Sequence, residues 1–162
     1  MAKASAGVLL YRRSAHGAEV LLVHPGGPYW AGRDEGAWSI PKGEIEHGEE
    51  PIAVAAREFE EETGATAPGG VWVPLEPVRQ AGGKVVHAWA VEGDFDPSTL
   101  ASSTFRMEWP PRSGRSAEFP EIDRADWFAR DVARAKIVAG QVLLLEQLDR
   151  LLSHSAGGQP EP

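Results

Sequence analysis

The stretch Gly43–Ala65, GEIEHGEEPIAVAAREFEEETGA, decides how the rest of the chain is read. Proline has no N–H to leave unsatisfied at the start of a helix, so a helix is expected from Pro51. Ile52, Ala55, Ala56 and Phe59 recur at helical spacing and are expected to form its buried face. Gly64 can take the left-handed conformation that ends it. Glu58, Glu60, Glu61 and Glu62 then crowd the last turns, at the negative end of the helix dipole, where carboxylates are disfavoured. Glu58, Glu61 and Glu62 also stand at i, i+3 and i+4, so like charges share one face. The bland reading is a solvated face with Arg57 paired to Glu61, but such pairs contribute only about 0.2–0.5 kcal/mol each. The sharper reading is a hard divalent cation. Mg²⁺ or Mn²⁺ prefers oxygen ligands and turns mutual repulsion into joint attraction.

The wider stretch reads G-x5-E-x7-R-E-F-x-E-E-x-G-A. This resembles the signature of the Nudix hydrolases, G-x5-E-x7-R-E-U-x-E-E-x-G-U, where U is usually Ile, Leu or Val. Gly43, Glu49, Arg57, Glu58, Glu61, Glu62 and Gly64 match every polar and glycine position. Phe59 and Ala65 depart at the two apolar positions, which bears on local packing rather than on metal chemistry. The resemblance implies a single-domain α/β fold, an α/β/α sandwich around a mixed β-sheet with the signature as a loop–helix–loop. It also implies hydrolysis of a nucleoside diphosphate linked to another moiety, with Mg²⁺ or Mn²⁺ as cofactor. Carried over position by position, Glu61 and Glu62 are the principal metal ligands, and Glu58 is a third ligand or the base. A backbone carbonyl at Lys42 or Gly43 adds to the shell, while Arg57 and Glu49 brace the others as an ion pair. The family often uses a further acid outside the signature. AEFPEIDRADWF offers Glu118, Glu121 and Asp123, and Glu121, six residues before Trp127, sits nearest to the family's position. A solvated loop acid is the equal alternative for it.

Organisation along the chain is compatible with that implication. SAGVLLYRR and AEVLLVHPG read as two strands around a turn at SAHG. A loop rich in glycine and aromatics, PGGPYWAGRDEGAW, leads to the extended piece WSIPKGE. VWVPLEPVRQ and GKVVHAWAVEG read as further strands joined by a turn at QAGGK. Residues 93–120 read as irregular, and RADWFAR as a last short strand. From Asp131 to Leu152 a helix is expected, with Ile137, Val142, Leu145, Leu148 and Leu152 facing the core. The domain is assigned to residues 1–152, with 153–162 as a disordered tail.

The composition, 42% apolar and 25% charged residues, is that of a soluble globular domain. The absence of cysteine excludes disulfides, thiolate metal sites and a cysteine nucleophile. The N-terminal segment fits neither a signal peptide nor a membrane span, so a cytoplasmic enzyme is expected. A net charge of −8 argues against broad binding to nucleic acid or anionic membrane, but not against a small phosphorylated substrate beside a bound cation. There is no G-x-S-x-G elbow, and Gly26 and Gly27 do not form a G-x4-G-K-[ST] loop. Pro41-Lys42-Gly43, leading into the signature, resembles the dinucleoside polyphosphate hydrolases of the family, so diadenosine tetraphosphate is the first substrate expected. Lys42 would then stand beside a phosphate chain. Lys84, Arg112 and Arg115, with Arg33 and Arg106, are further candidate phosphate contacts, and Trp30, Tyr29 and Trp109 are candidates for stacking on a base. His24, His47 and His87 show no metal-ligand spacing and read as structural or incidental. The enzyme rival is a nucleoside triphosphate pyrophosphohydrolase, including one that removes damaged nucleotides. The rival from another class is a nucleotide-sensing or protein-binding module, whose usual mark, a missing glutamate, is not seen. Oligomeric state is not legible.

Overall fold

A computed structural model describes residues 3–15 and 17–157. Two apolar runs form its centre. β1 (Ala4–Ser14) and β2 (Gly17–Pro25) pair antiparallel through Tyr11 opposite Val20 and Arg12 opposite Glu19. Their side chains alternate between two cores. Ala6, Val8 and Leu10 join Leu21 and Val23 on one face, while Leu9 and Tyr11 join Val20 and Leu22 on the other. Strands buried on both faces carry unbroken apolar sequence, which is why GVLLY and VLLV are continuous rather than alternating.

Around this pair a mixed seven-stranded sheet assembles. β6 (Val85–Glu92) lies parallel to β1, and β9 (Ile122–Ala129) antiparallel to β2. β4 (Trp72–Pro74) and β5 (Val78–Arg79) both pair with β6, and β3 (Lys42–Glu44) pairs with the start of β1. The main path runs β4-β6-β1-β2-β9. α1 (Pro51–Thr63) covers one face through Val54, Ala55 and Phe59. α2 (Arg130–Lys136) and α3 (Val142–Gly157) cover the other through Ala133, Leu144, Leu145 and Leu148. The expected α/β/α sandwich is the fold. No described helix is long and apolar enough to cross a membrane.

Local expectations fared unevenly. α1 starts at Pro51 and ends at Gly64, whose φ of 80° is left-handed and whose N–H reaches the Glu60 carbonyl. Its buried set differs, however: Val54 and Thr63 are enclosed, while Ile52 is 45% exposed. Ile52 shares the angular position of Phe59 but lies about 10 Å nearer the N-terminus at 1.5 Å per residue, in the first turn, beyond the core side chains. VWVPLEPVRQ is two short strands rather than one, because Pro74 and Pro77 cannot donate to a ladder. Residues 93–120 are not irregular throughout. β7 (Thr104–Glu108) and β8 (Ser116–Pro120) form a separate hairpin in which Phe105 stands opposite Phe119.

The closing helix is interrupted. After Lys136 the chain turns extended at Ile137, and Trp38 bridges the residues on either side of it: Trp38 N–H donates to the Lys136 carbonyl and Val138 N–H to that of Trp38. This crossing pins the loop before β3 against the last helices. Ile137, Leu145, Leu148 and Leu152 are buried as expected, and α3 continues to Gly157. The rest of the expected tail, 158–162, lies outside the described residues, as does His16 in the first turn.

β3 can approach β1 closely because position 7 has no side chain. A Cβ at Gly7 would stand 2.5 Å from the Pro41 carbonyl oxygen and 2.7 Å from the Lys42 Cβ. Gly7→Ala is therefore expected to overpack this seam and destabilise the protein by about 1–3 kcal/mol. Urea unfolding is the measurement, and a wild-type midpoint would show that the strand has room.

Candidate functional site

Glu62 and Glu58 are anchored by the backbone that enters β3. Lys42 N–H donates to Glu62 Oε1 at 3.3 Å. A Cβ at Gly43 would fall inside the Glu58 carboxylate, so only glycine lets Glu58 lie against the strand. Arg57 fans out over the remaining charge. Its Nη1 forms a short ion pair with Glu49 Oε2, and its Nε lies 3.6 Å from Glu58 and 3.9 Å from Glu61. Glu49 is held in turn by the Glu46 N–H at 2.8 Å. The Arg57 side of these pairs is exposed, so they contribute little to stability; their effect is to fix where the carboxylates stand. Glu60 turns away and accepts from Ala67 N–H at 2.8 Å.

Burial leaves the cluster short of positive charge. Desolvation pushes the Glu62 carboxyl up to about 8, with the Lys42 ammonium and N–H opposing and Glu58 and Glu121 reinforcing. Glu58 is raised by desolvation and then by the Glu61 charge. Lys42 is depressed by its own burial, against the pull of Glu62. Hard oxygen donors on one helix face, disfavoured as bare carboxylates, fit a hard divalent cation in chemistry and in backbone placement. Among the described residues no three acid or histidine side chains already converge in ligating geometry. Arg57 pairs with Glu58 and Glu61, while the Lys42 N–H holds Glu62.

Beside Glu62 opens a cavity of about 230 Å³, with Lys42, Glu121, Trp30 and Gln80 among its lining and Ile40, Ile122 and Val138 as apolar wall. The structure thus brings Glu121 to the signature glutamates. Its N–H donates to the Ser103 carbonyl and its own carbonyl accepts from Gly26, both at 2.8 Å. A larger hollow of about 480 Å³ lies across β9, but no signature residue lines it, and its Lys136 is already paired with Asp34 at 2.6 Å.

Other candidates are dispersed. Lys84 lies just before β6, outside the cavity lining, though its charge helps to depress Lys42. Arg106 is exposed on β7; Arg112 and Arg115 are exposed at the hairpin tip, away from the cavity lining. Trp109 packs edge-on against Tyr29 with centroids 5.4 Å apart, tying that tip to the loop before β3. The Arg33 guanidinium lies 5.4 Å from the Trp30 ring. Glu118 accepts from Thr104 Oγ1 within the hairpin. His24 is structural: fully buried, its Nδ1 stands 2.8 Å from Asp123 and its Nε2 2.7 Å from the Arg33 carbonyl. Sequence reading missed Ser39, Gln80 and Gln141, which adjoin at the back of the cavity. A lone glutamine in a loop or at a helix start carries no signal of its own.

Comparison with known proteins agrees with this architecture. The chain is 40% identical over 122 residues to an 8-oxo-(d)GTP phosphatase of Mycolicibacterium smegmatis, covering 66% of this chain and 34% of that protein. It is 30% identical over 132 residues to an RNA pyrophosphohydrolase of Brucella anthropi, covering 67% and 71% respectively. The chain thus spans about a third of the first relative's length. Among solved structures, an Ap4A hydrolase of C. elegans superposes with a TM-score of 0.65 at 23% identity, over 93% of this chain and 98% of that one. The NUDIX domain of Shewanella oneidensis NrtR, bound to ADP ribose, superposes with a TM-score of 0.62 at 18% identity, over 94% and 89%. A family model described as the NUDIX domain matches residues 1–148, and the chain belongs to that family.

Proposed function

We propose that the chain is a divalent-metal-dependent pyrophosphohydrolase that cleaves a phosphoanhydride bond of a nucleoside polyphosphate. The observation that supports this is that Lys42, Glu62 and Glu121 all line one cavity, with Glu58 and Glu61 on the same helix as Glu62. Glu61 and Glu62 would hold Mg²⁺ or Mn²⁺, Glu58 a third ligand position or the proton-accepting role, with a backbone carbonyl at Lys42 or Gly43 beside them. Bound there, the cation supplies charge neutralisation of the phosphate oxygens and acidification of water. Lys42 orients the phosphate chain through its ammonium. Glu58 or Glu121 takes the proton from the attacking water, and Arg57 with Glu49 keeps Glu58 and Glu61 from collapsing onto other partners. No nucleic acid or membrane partner is proposed.

Two substrate classes have separate support. The Pro41-Lys42-Gly43 approach favours a dinucleoside polyphosphate such as diadenosine tetraphosphate, which would yield ATP and AMP. The relative at 40% identity, named for 8-oxo-(d)GTP, favours a nucleoside triphosphate, which would yield a monophosphate and pyrophosphate. Mass identification of products from both substrates, with Mg²⁺ and with Mn²⁺, separates them, and the absence of metal-dependent cleavage of any nucleotide refutes the proposal.

Glu62→Gln should lower kcat about 100-fold or more by removing a buried ligand charge. A rate equal to wild type would point to a contaminant or a binding module. Glu121→Gln should cut turnover about 10-fold or more with the fold intact by circular dichroism; near-normal turnover removes it from the machinery. Arg57→Gln should weaken Mn²⁺ binding about 10-fold, in keeping with lost support of ligands. Its unfolding midpoint should hardly move, because the guanidinium is solvent-exposed. Unchanged affinity by calorimetry or electron paramagnetic resonance would deny it the bracing role.

A further inference from the structure

Glu121 is the single residue between β8 and β9, and its carboxylate has no hydrogen-bonding or ion-pair partner among the described residues. Its charge adds to the burial that raises the Glu58 and Glu62 carboxyls, and those like charges repel it rather than retain it. Its position beside Glu62 and Lys42 therefore depends on how its backbone is held.

The backbone is held from the end of the signature helix. The last carbonyls of a helix lack partners within it. In α1 the Glu60 carbonyl accepts from Gly64 N–H, while those of Thr63 and Glu61 accept from Ala101 N–H at 3.0 Å and Ser103 N–H at 2.8 Å. The Ser103 carbonyl in turn accepts from Glu121 N–H at 2.8 Å. Two hydrogen bonds through one residue thus join the backbone of Glu61 to that of Glu121. Ser102 completes the clamp with its side chain. Its Oγ accepts from Ile122 N–H at 3.1 Å, and its one hydrogen has the Ser103 and Ile122 carbonyls within reach at 2.8 and 3.1 Å. Gly64 admits this segment to the helix end: a Cβ there would stand 2.6 Å from the Ala101 carbonyl oxygen and 2.8 Å from the Ala101 Cβ.

We infer that Ser102 is a positioning residue for the proposed hydrolysis: with the backbone of Ser103 it fixes the Glu121 carboxylate relative to the glutamates of α1. The inference rests on the role given to Glu121 above and adds what keeps that residue in place. A proton acceptor must stand within hydrogen-bond reach of the water it serves, and a displacement of about 1 Å can cost about 100-fold in rate. The strand that leads into Glu121 cannot supply that precision, because β7 and β8 form a sheet of their own, apart from the main one. The clamp instead refers Glu121 to α1 itself, so that the proton acceptor and Glu58, Glu61 and Glu62 share one frame. Its remaining bonds run from backbone to backbone and survive most side-chain changes. The Ser102 hydroxyl is the part that a side-chain substitution removes.

The test is a double-mutant cycle of Ser102→Ala with Glu121→Gln, read as hydrolysis of GTP and diadenosine tetraphosphate with Mg²⁺ and as amide hydrogen exchange of the full chain. Ser102→Ala alone should lower kcat about fivefold or more with KM within about twofold, since it disturbs the proton acceptor rather than substrate binding. In the Glu121→Gln background the same change should cost less than about twofold, because a residue that acts through Glu121 has nothing left to position. A hydroxyl with a merely structural role would cost the same in both backgrounds. Exchange gives a readout that needs no turnover. Ser102→Ala should speed exchange of the Glu121 and Ile122 N–H groups about tenfold while those of α1 keep their protection. Unchanged exchange at both positions, an unchanged kcat, or equal costs in the two backgrounds would overturn the inference. Normal turnover in Glu121→Gln alone refutes the role given to Glu121, and the inference falls with it. A costly Glu121→Gln with equal Ser102 costs in both backgrounds refutes the inference alone.

Discussion

The seam between the end of α1 and the start of β3 is the constraint on which the rest depends. Glu58 rests against the strand only because residue 43 has no side chain, and Glu62 takes a backbone N–H from residue 42. Glycine at one position and carboxylates at two others thus form one geometric unit, although a loop and about two to three turns of helix separate them in sequence. The unit is electrostatically unfavourable by itself. Burial raises both carboxyls, and the helix end adds its own negative partial charge. Arg57 and Lys42 supply part of the missing positive charge, Arg57 from the exposed side and Lys42 from within.

Such a unit needs a rigid support. β3 is held by its pairing with β1, from Ser5 opposite Glu44 to Gly7 opposite Lys42, and β1 is the strand buried most completely on both faces. α1 is seated on the same strand by Val54, Ala55 and Phe59. The two halves of the seam are therefore fixed to one central element, so their relative position does not depend on exposed loops. The exposed ion pairs then have only to orient side chains, a task suited to interactions that contribute little to stability.

Much of this was legible in the sequence because it is local or periodic. The apolar runs of β1 and β2, the proline at the start of α1, the glycine at its end and the spacing of the glutamates each act within a few residues. What escaped was set by distant packing. Ile52 fits the helical period and is exposed because the core ends before the first turn does. The hairpin of β7 and β8 has only half-buried alternation, and Pro110 and Pro111 near its tip hide it among turn residues. The break after Lys136 comes from backbone bonds to Trp38, about a hundred residues earlier, and no local pattern announces it. For the site, the signature residues were readable from spacing, whereas Gln80 and Gln141 became meaningful only when the fold brought β5, β3 and the start of α3 together.

That contrast has a physical origin in the two tasks that the proposed function would set the site. Gripping a cation beside a phosphate chain requires several like charges at fixed short range, which one helix can present from one stretch of sequence. Distinguishing one heterocycle from another requires donors and acceptors of known direction around a flat ligand, and no single element surrounds a ligand. Such a direction has to be imposed from outside; in this fold a chain of hydrogen bonds begins at the Ile40 N–H, passes through the fully buried Gln141 amide and ends on Gln80 in the cavity lining. Because α2 and α3 are separated at Ile137–Gln141, Gln141 can sit at the point where that wall meets the segment leading into β3. An unbroken helix from Asp131 would carry residue 141 past this point. The interruption that defeated the helical reading of the last segment is thus the feature that lets the end of the chain reach the site formed at its beginning.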